Sequence, residues 1–267
     1  MTDADEDALD RLLDRIEECD QQGDARALRR EVRRGRTRFP ESIDLMEWDA
    51  MLASEAGEHG RALALLDGVL SRAPRRFWAR RERAAVLLDQ GHFEDALVVL
   101  DDVLAAARLR DADERASLRH DRGLCLDRLG RVEEAERAFA RAAALCPESF
   151  FVPLRLPSQE FDALVEHALE HVPTRFRSYL QQTIVTVDDY PPADVEDPFV
   201  LGVYHGVPRP ERPAAGKDDP DTIVIFKRSH EVTCRDRAKL EDEVTRTVLH
   251  EIAHHFGIDH DDMGDFL

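Results

Sequence analysis

Towards its C-terminal end the chain reads His250-Glu251-Ile252-Ala253-His254-His255-Phe256-Gly257-Ile258-Asp259-His260. Histidines four residues apart share one face of an α-helix, so the rings of His250 and His254 can bind a single metal ion. Glu251 sits about 100° round the helix, where its side chain reaches a water on that ion without being a ligand. Gly257 permits the left-handed turn that ends the helix and returns the chain, which makes His260 the natural third ligand. The flanking Asp259, Asp261 and Asp262 are alternative third donors. Three protein ligands leave one position open, the arrangement of a catalytic rather than a structural zinc site. The expected chemistry is hydrolysis, with Glu251 taking a proton from water and passing it to the leaving group. By chance, His-Glu-x-x-His arises about 0.04 times in a chain of this composition, before the glycine and third histidine are required.

The helix that carries these residues is expected over Arg237 to about Phe256, capped by Asp236 and stopped by Gly257. Upstream, Ser158 is placed to cap a helix whose apolar residues Phe161, Leu164, Val165, Ala168, Leu169 and Val172 follow a 3.6-residue period as far as Pro173. Three β-rich runs lie between the two helices: Thr183–Val187, Phe199–Val207 and Thr222–Lys227. Either of the last two could be an edge strand. Tyr204 or His205 is a candidate second donor to a developing oxyanion, or else packs and faces solvent. The polar loop Pro208–Pro220 could border a cleft. His255 points away from His254 and reads as a surface or supporting group; His167, His171 and His230 read as surface histidines, and Cys234 as exposed.

The first 150 residues follow a different pattern. Gly23, Gly57 and Gly91 are each 34 residues apart, and Gly130 keeps phase after an insertion of about five residues, most simply Asp111–Arg115. Pro40, Pro74 and Pro147 follow the same ruler, as do the pairs Ala62/Leu66, Ala96/Leu100 and Ala135/Phe139. This period resembles the tetratricopeptide repeat. Four units are expected, at about 9–42, 43–76, 77–110 and 116–149, each a pair of antiparallel helices that buries its apolar face by stacking. Arg122 departs from the family, which has a large apolar residue there. Such arrays imply a protein partner on the concave face. The arginine-rich stretches Arg26–Arg38 and Arg72–Arg83 either line such a surface and meet an acidic partner or form a solvated exterior. Trp48 and Trp78 fit repeat packing, and the repeat cysteines fit as small core residues.

The expected architecture is therefore an α solenoid over residues 1–149, a linker at 150–158 (FFVPLRLPS), and a small α+β domain over 159–267. The eleven-residue zinc pattern resembles that of the metzincins. Only seven residues follow His260, however, too few for the Met-turn of that family, and Met263 lies too close to serve. From Phe161 onward the chain more closely resembles the minimal zincins, carried by FDALVEHALEHVP, LGVYHGVP, DTIVIFKR and VLHEIAHHFGI in that order. The resemblance implies a zincin-like fold and peptidase activity on peptide or protein substrates. It also implies that an edge strand, here Phe199–Val207 or Thr222–Lys227, holds an extended peptide as an added strand. Its members often carry aspartate where this chain has His260.

Composition narrows the alternatives. There are 37 basic and 56 acidic residues and a net charge of −19, so a phosphate backbone is repelled on average and nucleic acid is not the expected partner. No run approaches a membrane span, and the acidic start MTDADEDALD does not resemble a secretion signal. Cys19, Cys125, Cys146 and Cys234 form no CxxC pair, as expected of reduced thiols in a cytoplasm. Only three basic residues are lysine, which suggests a GC-rich, bacterial genome. Beside the metallopeptidase reading stands a second: an interaction scaffold whose zincin-like domain binds zinc without cutting peptides.

Overall fold

The computed structural model describes residues 3–106, 111–172, 180, 183–206 and 221–256. The chain divides into two compact units, residues 1–130 and 131–267. Eight helices fill the repeat region: α1 (Asp3–Gln21), α2 (Ala25–Arg38), α3 (Ile43–Glu55), α4 (His59–Arg72), α5 (Phe77–Asp89), α6 (Phe93–Ala106), α7 (Ala112–Arg128) and α8 (Val132–Leu145). The last of them lies in the second unit.

The glycine ruler has a direct cause. Gly23, Gly57, Gly91 and Gly130 have φ between 69° and 72°, the left-handed turn that reverses the chain between the two helices of a repeat. The helix that follows begins two residues later in each case. Ala62, Leu66, Ala96, Leu100, Ala135 and Phe139 are all buried, so the small-then-large pairs mark the packed face of each second helix. Asp24 and Ser42 cap α2 and α3 by accepting bonds from the amides of Ala27 and Leu45. The inserted residues Asp111–Arg115 become the cap and first turn of α7, which is 17 residues long against 13 for α5. Arg122 pairs with Asp101 of α6 at 2.5 Å, so its guanidinium replaces an apolar contact with an ion pair. Trp48 and Trp78 pack against core clusters, as expected of repeat residues. None of the four cysteines forms a disulfide; Cys125 is fully buried, which pushes its thiol up to about 12, whereas Cys19 and Cys146 are only half-buried and so are not the core residues expected.

In the second unit the chain leaves α8 as an extended stretch imposed by Pro153 and Pro157. Leu156 is buried, and its amide donates to Glu231 Oε1 at 2.9 Å, so the stretch is fastened to this unit's core. Next come α9 (Ser158–Glu170), β1 (Ile184–Asp188), β2 (Gly202–His205), β3 (Thr222–Phe226), α10 (Lys227–Thr233) and α11 (Arg237–His255). Pro157, not Ser158, occupies the cap position of α9, because the fixed φ of proline starts the helix one residue early without a side-chain bond. Asp236 caps α11 through the amide of Lys239, as its position predicts. The second β run contracts to four residues, and Lys227 opens a short helix instead of ending a strand.

The sheet order is β1-β3-β2, with β1 parallel and β2 antiparallel to β3. β3 is therefore central and paired on both sides, which removes Thr222–Lys227 as a peptide-binding edge. One core joins Phe161, Val165 and Ala168 of α9 to Ile223 and Ile225 of β3 and to Leu240, Val244, Val248 and Ile252 of α11. The last four recur every four residues, so a single stripe of α11 faces inward. That fixes where its remaining faces point.

Candidate metal centre and cleft

α11 presents His250 and His254 side by side, with Nε2 atoms 3.1 Å apart and ring centroids 4.7 Å apart. Two imidazoles hold that separation by sharing either a proton or a cation. Two ligands at 2.0–2.1 Å in a tetrahedron lie about 3.3 Å from each other, so the pair fits a zinc ion as the donors stand. Among the described residues no third His, Cys, Asp or Glu completes a set. His260, Asp259, Asp261, Asp262, Gly257, Met263, the loop Pro208–Pro220 and the side chain of His255 lie outside the described residues.

Glu251 is 6% exposed, although it lies one residue from a candidate ligand. Its burial follows from β2 lying directly upon it. A Cβ on Gly202 would stand 2.9 Å from Thr247 Cγ2 and 3.0 Å from Glu251 Cγ, so glycine permits the strand to approach this turn of the helix. Burial pushes the Glu251 carboxyl up to about 7, and a hydrogen bond from the Tyr204 backbone amide opposes the rise. An open cleft of about 370 Å³ leads to this carboxyl, lined by Phe199, Leu201, Gly202, Arg246 and His250 among others.

The two expected oxyanion donors take different places. The ring of Tyr204 packs against the core cluster with its hydroxyl beside Gly206, so the residue gives the site its backbone amide; His205 is exposed. His167 and His171 are exposed, as expected, whereas His230 is fully buried. Its Nδ1 lies 2.8 Å from the Phe226 carbonyl oxygen, which can only accept, so Nδ1 carries the proton. Nε2 is then the acceptor, and the Thr247 hydroxyl donates to it at 3.0 Å. Burial depresses His230 to about 4, which keeps the ring neutral. This bond ties the turn of α11 just before His250 and Glu251 to α10. Cys234 is likewise buried, in the core between α10 and α11, with its thiol pKa raised by burial.

A third group that the sequence does not announce is the ion cluster at Glu231. This fully buried carboxylate lies 2.6 Å from Lys227 Nζ and 3.2 Å from Arg155 Nη1, with Arg228 at 3.5 Å. It joins α10 to the stretch that enters α9. The i, i+4 spacing of Lys227 and Glu231 is visible in the chain, but their burial follows only from the packing of α10.

A family model described as zincin-like metallopeptidase matches residues 180–266, and tetratricopeptide-repeat models match residues 53–119 and 116–149. No curated protein matches the chain. Among solved structures, "MamA RS-1 ArsTM double mutant" is 26% identical with a TM-score of 0.45, over 52% of this chain and 76% of that one. "MamA 41-end from Desulfovibrio magneticus RS-1" is 22% identical with a TM-score of 0.45, over 64% of this chain and 88% of that one. The chain carries tetratricopeptide repeats followed by a zincin-like metallopeptidase domain. No described helix is long and apolar enough to cross a membrane.

Proposed function

We propose that the chain is a zinc-dependent peptidase, with catalytic residues in a domain over 159–267 and repeats over 1–149 that recruit a substrate or partner protein. His250, His254 and His260 would hold one zinc ion. When bound, that ion supplies Lewis-acid polarisation of a carbonyl and brings the pKa of a water molecule down towards about 7. Glu251 takes a proton from the attacking water and delivers it to the departing amine nitrogen. The observation that carries the reading is the position of this carboxyl: buried under an edge strand, one residue from a converged histidine pair, and open to a cleft.

The edge strand has a second use. β2 pairs with β3 on one side, and no described strand covers its other edge, so an extended peptide can add there beside Glu251. The Thr247–His230 bond and the close seat of Gly202 fix the carboxyl against that edge. The reading places the enzyme in a bacterial cytoplasm, in keeping with its free cysteines.

Turnover of a quenched-fluorescent peptide library by wild type and Glu251→Gln tests this. Cleavage by wild type that falls roughly 10²–10⁴-fold in the variant, with equal zinc content, is the expected result. Equal zinc and no cleavage by either protein would favour a scaffold that binds zinc without hydrolysis.

A further inference from the structure

The arginines of α2 are out of keeping with the rest of the molecule. In a chain of net charge −19, the 14 residues Ala25–Arg38 contain seven arginines and one glutamate. Five of them (Arg26, Arg29, Arg30, Arg33 and Arg36) line a cleft of about 630 Å³, as does Arg61 of α4. The carboxylates within the cleft are already engaged. Arg61 lies 2.6 Å from Asp49 and 2.7 Å from Glu58, and Arg36 lies 3.5 Å from Asp49. Arg26, Arg29 and Arg33 have no side-chain hydrogen bond or ion pair among the described residues.

Their arrangement costs the helix stability. Arg29 and Arg33 are four residues apart and repel each other, as do Arg26 and Arg29 at a spacing of three. Arg26 also sits in the first turn, where the helix dipole favours a negative charge, and that turn contains no acidic residue. The Asp24 cap places one carboxylate at this end of the helix, but no ion pair among the described residues relieves the repulsion between Arg29 and Arg33, which an acidic ligand would. Guanidinium forks match carboxylates two bonds at a time. Between the arginines, exposed Ala56 and the edge of the core residue Leu52 supply an apolar lining, which suits the side chains of a peptide and has no counterpart in a phosphodiester backbone. Ionic screening limits the reach of each charge to about 8 Å at physiological salt. A short acidic segment seated in the cleft therefore experiences these arginines, whereas a long polyanion also meets the negative remainder of the chain.

We propose that the cleft between α2 and the α3–α4 hairpin is a docking site for a carboxylate-rich segment of a protein partner. This site does not depend on the peptidase reading.

Fluorescence anisotropy of a short labelled peptide of glutamate and leucine, titrated with the full chain, tests the proposal. Arg29→Glu/Arg33→Glu is compared with Arg137→Glu/Arg141→Glu, which makes the same charge change at exposed positions of α8. Salt-dependent binding to wild type, weakened about tenfold or more by the α2 pair and less than about twofold by the α8 pair, is expected. Where circular dichroism shows that the α2 reversal does not fold, Arg29→Gln/Arg33→Gln replaces it, with the same ranking expected. No binding by wild type, or equal weakening by both pairs, overturns the proposal. So does tighter binding of a labelled oligothymidylate that is lost with Arg29 and Arg33, since the site would then be one for phosphate.

Discussion

The two units handle charge differently. In the first, most arginine–carboxylate pairs reach the surface, as Arg61 does with Asp49 and Glu58, or Arg83 with Asp67, and the buried Glu47 is met by Arg76, whose side chain is itself 42% exposed. Such pairs are hydrated and add little to stability; the repeating apolar face holds the unit together. In the second, Glu231 is buried completely among Lys227, Arg155 and Arg228, and His230 is buried beside it as a neutral ring. A repeat array can rely on many equivalent contacts, because each repeat packs against the next in the same way. A small sheet carrying a candidate site has few elements, so individual buried polar groups fix where β2 and α11 stand.

This contrast predicts unequal sensitivity. Glu231→Ala leaves Lys227 and two guanidiniums around an empty position and should cost the second unit about 3–5 kcal/mol. Hydrogen exchange read by mass spectrometry should speed up in α9, α10 and α11 while α3 to α6 keep their protection. Equal loss in both units would show that the cluster supports the whole chain.

Acid should separate the units as well. His230 is held at about 4, below its ordinary 6.5, by burial. The unfolded chain therefore binds a proton that the folded chain refuses between those values. The stability contributed by the neutral ring is complete above about pH 6.5 and declines by about 3 kcal/mol as pH falls to about 4. Glu251, raised to about 7, takes up a proton in the folded chain over nearly the same window and offsets this loss, so the His230 effect is read in Glu251→Gln. Among the described residues the first unit buries no histidine, so in that variant exchange protection should fall first in the second unit. Earlier loss in α3 to α6 would contradict the assignment.

A smaller effect is expected from the repeats. Gly57 has φ of 72°, and Gly57→Ala forces an L side chain into that turn at a cost of about 1–2 kcal/mol. Protection should drop around α3 and α4, without change in α11. A loss in α11 as large as that in α3 would erase the distinction between the units.

What could be read from the chain follows the same division. The turns at Gly23, Gly57, Gly91 and Gly130 are local events repeated at one spacing, so a single ruler finds all eight helices. The histidine pair on α11 is equally local, since four residues on one helix set its geometry. Gly202, Thr247 and His230 are different. They meet only because β2 lies upon α11 and α10 folds back beside it, and no spacing within the chain announces those contacts. Ser158 and Cys234 differ from their sequence reading for a related reason: proline starts one helix early, and packing of α10 on α11 buries the thiol. β3 reads as an edge until its two neighbours are known.

The proposed roles of His250 and His254 as zinc ligands are open to one decisive measurement: zinc content per chain, by elemental analysis, of wild type, His250→Ala and His254→Ala purified without chelator. About one zinc is expected in wild type and a small fraction of that in either variant. Equal zinc in all three proteins, or none in wild type supplied with zinc, would contradict those roles.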